Sequence, residues 1–149
     1  MKILPLHAVP QYAEQVTDWI WQAFGTPDSR DFFASIVATS QREGQLPLTF
    51  VAVEGEKLVG TVGLWRCDLI SRQDLYPWLA ALYISENQRG RGFGAKLQEH
   101  VIDYARRLGY PQLYLYSACK DYYERFGWEY IGDGLDYPDK VVHLYRFAL

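Results

Sequence analysis

The chain has little cysteine and little histidine. Its two cysteines, Cys67 and Cys119, make neither a disulfide framework nor a CxxC pair. His7, His100 and His143 stand far apart and match neither cysteine, so no metal is expected. There is no surplus of positive charge either. Fifteen Lys and Arg against 18 Asp and Glu leave a net charge of −3, and the pI is near 5.6. A nucleic-acid binder carries a basic face or stripe, and here only a short cluster around Arg89 and Arg91 is basic, so no nucleic-acid partner is expected. No apolar run approaches the roughly 20 residues of a membrane span. The opening Met1-Lys2-Ile3-Leu4-Pro5 soon meets His7, Gln11 and Glu14 and builds no signal-peptide core. A soluble, cytoplasmic chain without membrane partners is the expectation. Repeats, low-complexity tracts and linkers are also missing, so 149 residues read as one domain, 1–149.

What is present is a large apolar fraction, 49%, with 16% aromatic residues. That is enough for a sizeable core and excludes a disordered chain. Lys2–Leu4 is a short strand candidate. Pro10 to Phe24 has helical spacing at Tyr12, Val16, Trp19, Ile20 and Ala23, with Gly25 where a helix ends. A second helix follows Asp28 or Ser29 and places Phe32, Phe33, Ile36 and Val37 on one face; Gly44 and Pro47 close it. Thr49–Val53 and Leu58–Trp65 flank Glu54-Gly55-Glu56-Lys57 as a hairpin. Cys67–Pro77 is polar and irregular, and Trp78–Ile84 is an apolar run of strand length. Phe93, Leu97, Val101, Ala105 and Leu108 restore the helical period until Gly109. Leu113–Tyr116 is a strand, and Asp121–Phe126 allows one or two helical turns. Trp128–Ile131 and Val141–Phe147 are the last strands, around a polar loop Gly132–Lys140. Strand, loop, helix and strand across Trp78–Tyr116 form a βαβ unit. The whole is a mixed sheet with helices on its faces, an α/β or α+β domain.

The glycine-rich run Gln88-Arg89-Gly90-Arg91-Gly92-Phe93-Gly94-Ala95 joins a strand to a helix. Glycines let backbone approach a ligand closely, and the first N–H groups of the helix have no internal partner and favour an anion. Arg89, Arg91 and Lys96 add positive charge. A phosphate or pyrophosphate site follows. No Gly-Lys-Ser/Thr is present, which excludes a Walker A loop. A dinucleotide fingerprint wants an acid at the end of the next strand, where this chain has Tyr116 and Ser117.

Arg89-x-x-Gly92-x-Gly94 resembles the Gln/Arg-x-x-Gly-x-Gly/Ala signature of the GNAT acetyltransferases. Tyr122-Tyr123-Glu124-Arg125-Phe126-Gly127-Trp128 is similar to the Phe-Tyr-Glu-Lys-Leu-Gly-Phe stretch late in the same domains. The likeness runs from about Thr49 to the C-terminus. It implies the GNAT fold, a central mixed sheet of six to seven strands flanked by about four helices, and acetyl-CoA as co-substrate without a metal. It implies that Arg89, Gly90, Arg91, Gly92, Phe93, Gly94 and Ala95 hold the donor, with Leu82, Tyr83 and Ile84 along its pantetheine and thioester through their backbone. Tyr123 then takes the place of the general acid that protonates the departing thiolate. A phenol with a reference pKa of about 10 is protonated at neutral pH and can serve.

The attacking amine must lose a proton, and the family fixes no position for the base. Asp68 follows the hairpin strand and borders the acceptor cleft in GNATs, so it is the preferred base; Glu86 is the other candidate. Asp133, Asp136 and Asp139 would give an acidic rim that steers a cationic amine. Trp65, Tyr76 and Trp78 could line an aromatic wall or simply pack. No histidine near Cys119 in sequence would activate it, so direct transfer in a ternary complex is favoured over an acetyl-cysteine. The expected activity is acetyl transfer from acetyl-CoA to a primary amine of a small molecule or peptide. The alternative is a non-catalytic acyl-CoA-binding sensor. A homodimer is compatible with the likeness, since many relatives pair through their C-terminal strands.

Overall fold

The computed structural model describes residues 1–149. Its strands are β1 (Lys2–Pro5), β2 (Leu48–Glu54), β3 (Lys57–Trp65), β4 (Trp78–Ile84), β5 (Gln112–Ser117), β6 (Glu129–Asp136) and β7 (Lys140–Ala148); its α-helices are α1 (Ala13–Phe24), α2 (Arg30–Thr39) and α3 (Phe93–Arg107). The seven strands form one sheet in the order β1-β2-β3-β4-β5-β7-β6. All neighbours are antiparallel except β4 and β5, which are parallel and joined by α3. This is the mixed sheet with helices on its faces that the chain's periodicities require. The helical stretch before Phe126 shortens to a single 3₁₀ turn, Tyr123–Phe126, which Gly127 ends at φ +93°.

Each face of the sheet has its own core. On one, the apolar stripe of α3 (Leu97, Val101, Ala105) packs on Phe50, Val62, Leu64, Leu113, Leu115, Trp128 and Tyr145. On the other, Val16 and Ile20 of α1 and Phe33 and Val37 of α2 cover Val51, Val53 and Leu58. The second face is completed by the 66–77 connection. Its Leu69 is buried with Trp78, Val142 and Leu144, and Ser71 donates its hydroxyl proton to the Leu135 carbonyl.

The polar segment expected as a loop at Gly132–Lys140 is mostly strand. β6 runs to Asp136 and β7 starts at Lys140, with Gly132 opposite Leu144 and Asp136 opposite Lys140. β6 is the edge of the sheet, so polar residues and glycine are tolerated there while backbone pairing with β7 holds the strand. Gly134 sits under Leu69 and Leu144.

On β3, Gly63 lies directly beneath the Trp65 indole, which occupies the space a side chain would need. Trp65 is itself buried. Replacing Gly63 by Ala therefore forces the indole from its site. A cost of about 2 kcal/mol is expected for such overpacking, read as a fall in Tm of roughly 4–8 °C; an unchanged Tm would contradict this packing.

Candidate active site

The site begins with an irregularity in β4. From Thr61 to Gly63 β3 advances two residues while its partners on β4 run from Tyr83 back to Ala80, so β4 carries one extra residue. Ala81 takes it up at φ +50°, a left-handed conformation that costs a non-glycine residue roughly 1–2 kcal/mol. Beyond this bulge β4 and β5 part. Only Trp78 and Tyr114 are in register, so the backbone of residues 79–84 has no strand partner on that side. Bulges redirect strands next to active sites in this way.

The glycine loop closes the top of the gap. Gly90 and Gly92 have φ of +82° and +80°, and Gly92 is the N-cap of α3. The first N–H groups of α3 face outward without an internal partner, where an anion is favoured. The resulting cleft, about 460 Å³, is lined by Leu82, Tyr83 and Ile84 on β4, by Gln88, Arg89, Gly90, Gly92, Phe93, Gly94 and Ala95 of the loop and helix start, and by Tyr122, Tyr123 and Phe126. Arg89 bonds the Ile84 carbonyl at 3.1 Å and lies over the Tyr83 ring. Arg91 does not line the cleft. Its guanidinium pairs with Glu54 at 3.1 and 3.2 Å and covers the Phe93 ring.

Tyr123 is half-buried at the lower end of this cleft, edge-on to Tyr122 at 4.9 Å. Burial first, then Tyr122, pushes its phenol up to about 12. It therefore keeps its proton at any physiological pH.

None of the acidic candidates lines this cleft. Asp68, in the connection after β3, is half-buried beside Tyr116 of β5 and Asp136 at the end of β6. Burial first, then the like charge of Asp136, holds the Asp68 carboxyl well above the usual carboxylate range. Burial, then Asp68 and Asp136, also raises the Tyr116 phenol. Of the three aspartates read as a rim, Asp133 is engaged elsewhere. It accepts from Tyr130 at 2.6 Å and contacts His143 at 2.7 Å, and these bonds keep it ionised. Trp65 and Trp78 are buried packing residues, and Tyr76 is exposed. Glu86 is an exposed residue of a short turn.

The sequence model described as the acetyltransferase (GNAT) family matches residues 13–128. The chain belongs to the GNAT acetyltransferase family. Among solved structures, an aminoglycoside 6'-N-acetyltransferase complexed with coenzyme A superposes with a TM-score of 0.75 at 16% identity, covering 99% of this chain and 97% of that one. An acetyltransferase from Streptococcus agalactiae gives 0.74 at 22% identity over 99% and 98%. A GNAT acetyltransferase from Elizabethkingia anophelis with acetyl-CoA bound gives 0.71 at 16% over 99% and 97%. At these identities the likeness concerns the fold. No curated protein matches the chain.

Within this GNAT domain, three features of the site carry no local signal in the sequence. One is Ala81, the residue that opens the sheet. Another is the meeting of Asp136 with Asp68, far apart in the chain. The third is the capture of Arg91 by Glu54. Tyr122 and Phe126 also line the cleft; their place beside Tyr123 in the aromatic turn was the available hint.

Proposed function

We propose that this GNAT domain transfers the acetyl group of acetyl-CoA to a primary amine, by direct attack with both substrates bound. The observation that carries this reading is one continuous cleft running from the unpaired N–H groups of α3 along the open edge of β4 to Tyr123. An anion at the helix start, an extended chain along the strand and a leaving group beside a phenol would be met in that order. The loop backbone and Arg89 would hold the diphosphate. Leu82, Tyr83 and Ile84 would align the pantetheine, and a strand N–H there would stabilise the carbonyl oxygen as it gains charge. Gly94 supports the fit: a Cβ there would project between Ile84 and the Tyr122 hydroxyl, 4.0 and 3.9 Å away, into the space a pantetheine would need.

The roles of the side chains follow from their surroundings. The amine nitrogen bonds to the thioester carbon and the C–S bond breaks, leaving an amide and a thiolate. Tyr123, protonated at neutral pH, gives its proton to the thiolate. Asp68 takes the proton that the amine loses. Its raised carboxyl makes it a better base than an exposed aspartate. The carboxylates of Asp68 and Asp136 favour a cationic acceptor, in keeping with the aminoglycoside acetyltransferases of the same fold. Acetyl-CoA as donor suits a cytoplasmic enzyme.

The direct test is CoA release from acetyl-CoA in the presence of a panel of small amines, aminoglycosides and peptides. Wild type is expected to turn over at least one of them, and Tyr123→Phe to lower kcat by about 10²-fold with little change in acetyl-CoA affinity. Turnover with no amine would overturn the enzyme reading. Gly94→Val should weaken CoA binding by about tenfold or more, a loss of roughly 1.4 kcal/mol, while Tm stays within about 2 °C. Full affinity would put the donor elsewhere. The pH profile gives a signed prediction. Activity should fall as pH drops through the Asp68 ionisation, because only its carboxylate accepts a proton. Asp136→Asn removes the like charge, lowers that ionisation and moves the acid limb to lower pH. A limb that stays in place would exclude Asp68 as the base.

A further inference from the structure

Beneath the turn that carries Tyr123 lies a polar group that the proposed chemistry does not use. Tyr145, in the middle of β7, is fully buried between Leu115 on β5 and Tyr130 on β6. Its ring stands 6.0 Å from the Tyr123 ring and 5.8 Å from that of Tyr130. Its hydroxyl has no hydrogen-bond partner. Beside it stand the Glu124 carboxylate, which accepts the Asp121 N–H at 3.3 Å, and that same Asp121 N–H, and neither makes a bond of ordinary geometry with it. Burial first, then Glu124, pushes the phenol up to about 12, so the proton stays on Tyr145 and is available to donate.

A buried hydroxyl without a partner is costly, and a phenylalanine would fill the same volume without that cost. The neighbouring backbone is costly too. Asp121 holds φ +69°, a conformation unfavourable for a residue with a Cβ. A turn entered through such a residue needs something to fix it. Three contacts fix it: the Glu124 bond to the Asp121 N–H, the Arg125 Nε bond to the Asp121 carbonyl at 3.2 Å, and the packing of the turn on Tyr145.

We propose that Tyr145, acting through Glu124, is a positioning residue for Tyr123, its hydroxyl donating to the Glu124 carboxylate when the turn is seated by a donor in the cleft. This inference rests on Tyr123 as the proton donor to sulfur. Tyr122, Tyr123 and Phe126 all line the cleft, so a molecule in it presses on the whole turn. Tyr145 lies below the turn, in the α3-side core, and touches no bound substrate itself.

The test reads the bond to sulfur without requiring an acceptor. Binding of CoA and of desulfo-CoA, which lacks the sulfur, is measured by calorimetry at pH 8 for wild type, Tyr123→Phe, Tyr145→Phe, Glu124→Gln and the Tyr123→Phe/Tyr145→Phe double variant. Wild type is expected to prefer CoA by about 5-fold more than Tyr123→Phe does. Tyr145→Phe and Glu124→Gln should bring the preference to within about 2-fold of the Tyr123→Phe value, and the double variant should go no further. A merely structural role would weaken both ligands equally and leave their ratio unchanged. If Tyr145→Phe keeps the wild-type ratio while Tyr123→Phe loses it, the positioning role is wrong and the Tyr123 reading stands. If Tyr123→Phe keeps the ratio, the Tyr123 reading fails and this inference fails with it. Should Tyr145→Phe unfold, as a Tm measurement would reveal, Glu124→Gln decides the same comparison.

Discussion

One extra residue in a strand governs the site. With Ala81 in the left-handed region, β4 turns away from β5, and the two strands share a single pair at Trp78 and Tyr114. A fully paired parallel sheet would consume the backbone groups of both strands and leave no gap. The cost of the bulge is met by its surroundings. Ala81 packs against the α1–α2 core. On β3, Gly60 leaves room for Ile84 and Leu97, which a Cβ there would meet at 2.8 and 3.1 Å. The strand therefore bends without opening a void on the α3 side.

The same gap organises charge and proton affinity. The protein is net acidic at −3, and Arg91 is paired with Glu54 outside the cleft. Attraction for an anion in the cleft thus depends on the backbone at the start of α3 and on Arg89. Backbone donors are short-ranged and directional, so they select by shape as much as by charge. Burial acts in the same sense on the two sides of the sheet, favouring the protonated, neutral form of each acid. It fixes the proton on Tyr123, on the α3 side, and raises the carboxyl of Asp68, on the other. In the proposed reaction, an acid kept protonated and a base made more basic would be the pair that amide formation from a thioester and an amine needs.

Much of this architecture was legible because its signals are local. The helical spacing of Phe93, Leu97, Val101 and Ala105 and the βαβ order depend on residues close in sequence. So do the glycines that need positive φ at positions 90 and 92 and the aromatic turn at Tyr123. Where the reading failed, distant contacts decide. Nothing in Leu79-Ala80-Ala81-Leu82 marks Ala81 as the bulge, because the register of β3 selects it. The pairing of Arg91 with Glu54 joins the start of α3 to the end of β2, residues too far apart in the chain for a local signal. Gly132–Asp136 reads as a loop by composition, yet pairing with β7 makes it an edge strand. The segment 66–77 reads as polar and irregular, and distant contacts give it its place: Leu69 folds onto the sheet, and Asp68 meets Tyr116 and Asp136.

The measurement that bears most directly on the central claim is a thermal-shift titration with acetyl-CoA and CoA, set against NAD and ATP. A ligand that binds only the folded protein stabilises it by about 2.7 kcal/mol at a hundredfold excess over Kd, a shift of several degrees for a chain of this size. The account predicts such a rise with acetyl-CoA and with CoA, and none with NAD or ATP at the same concentrations. No rise with either CoA species at millimolar concentration, or an equal rise with NAD, would contradict a cleft built for the acyl-CoA donor.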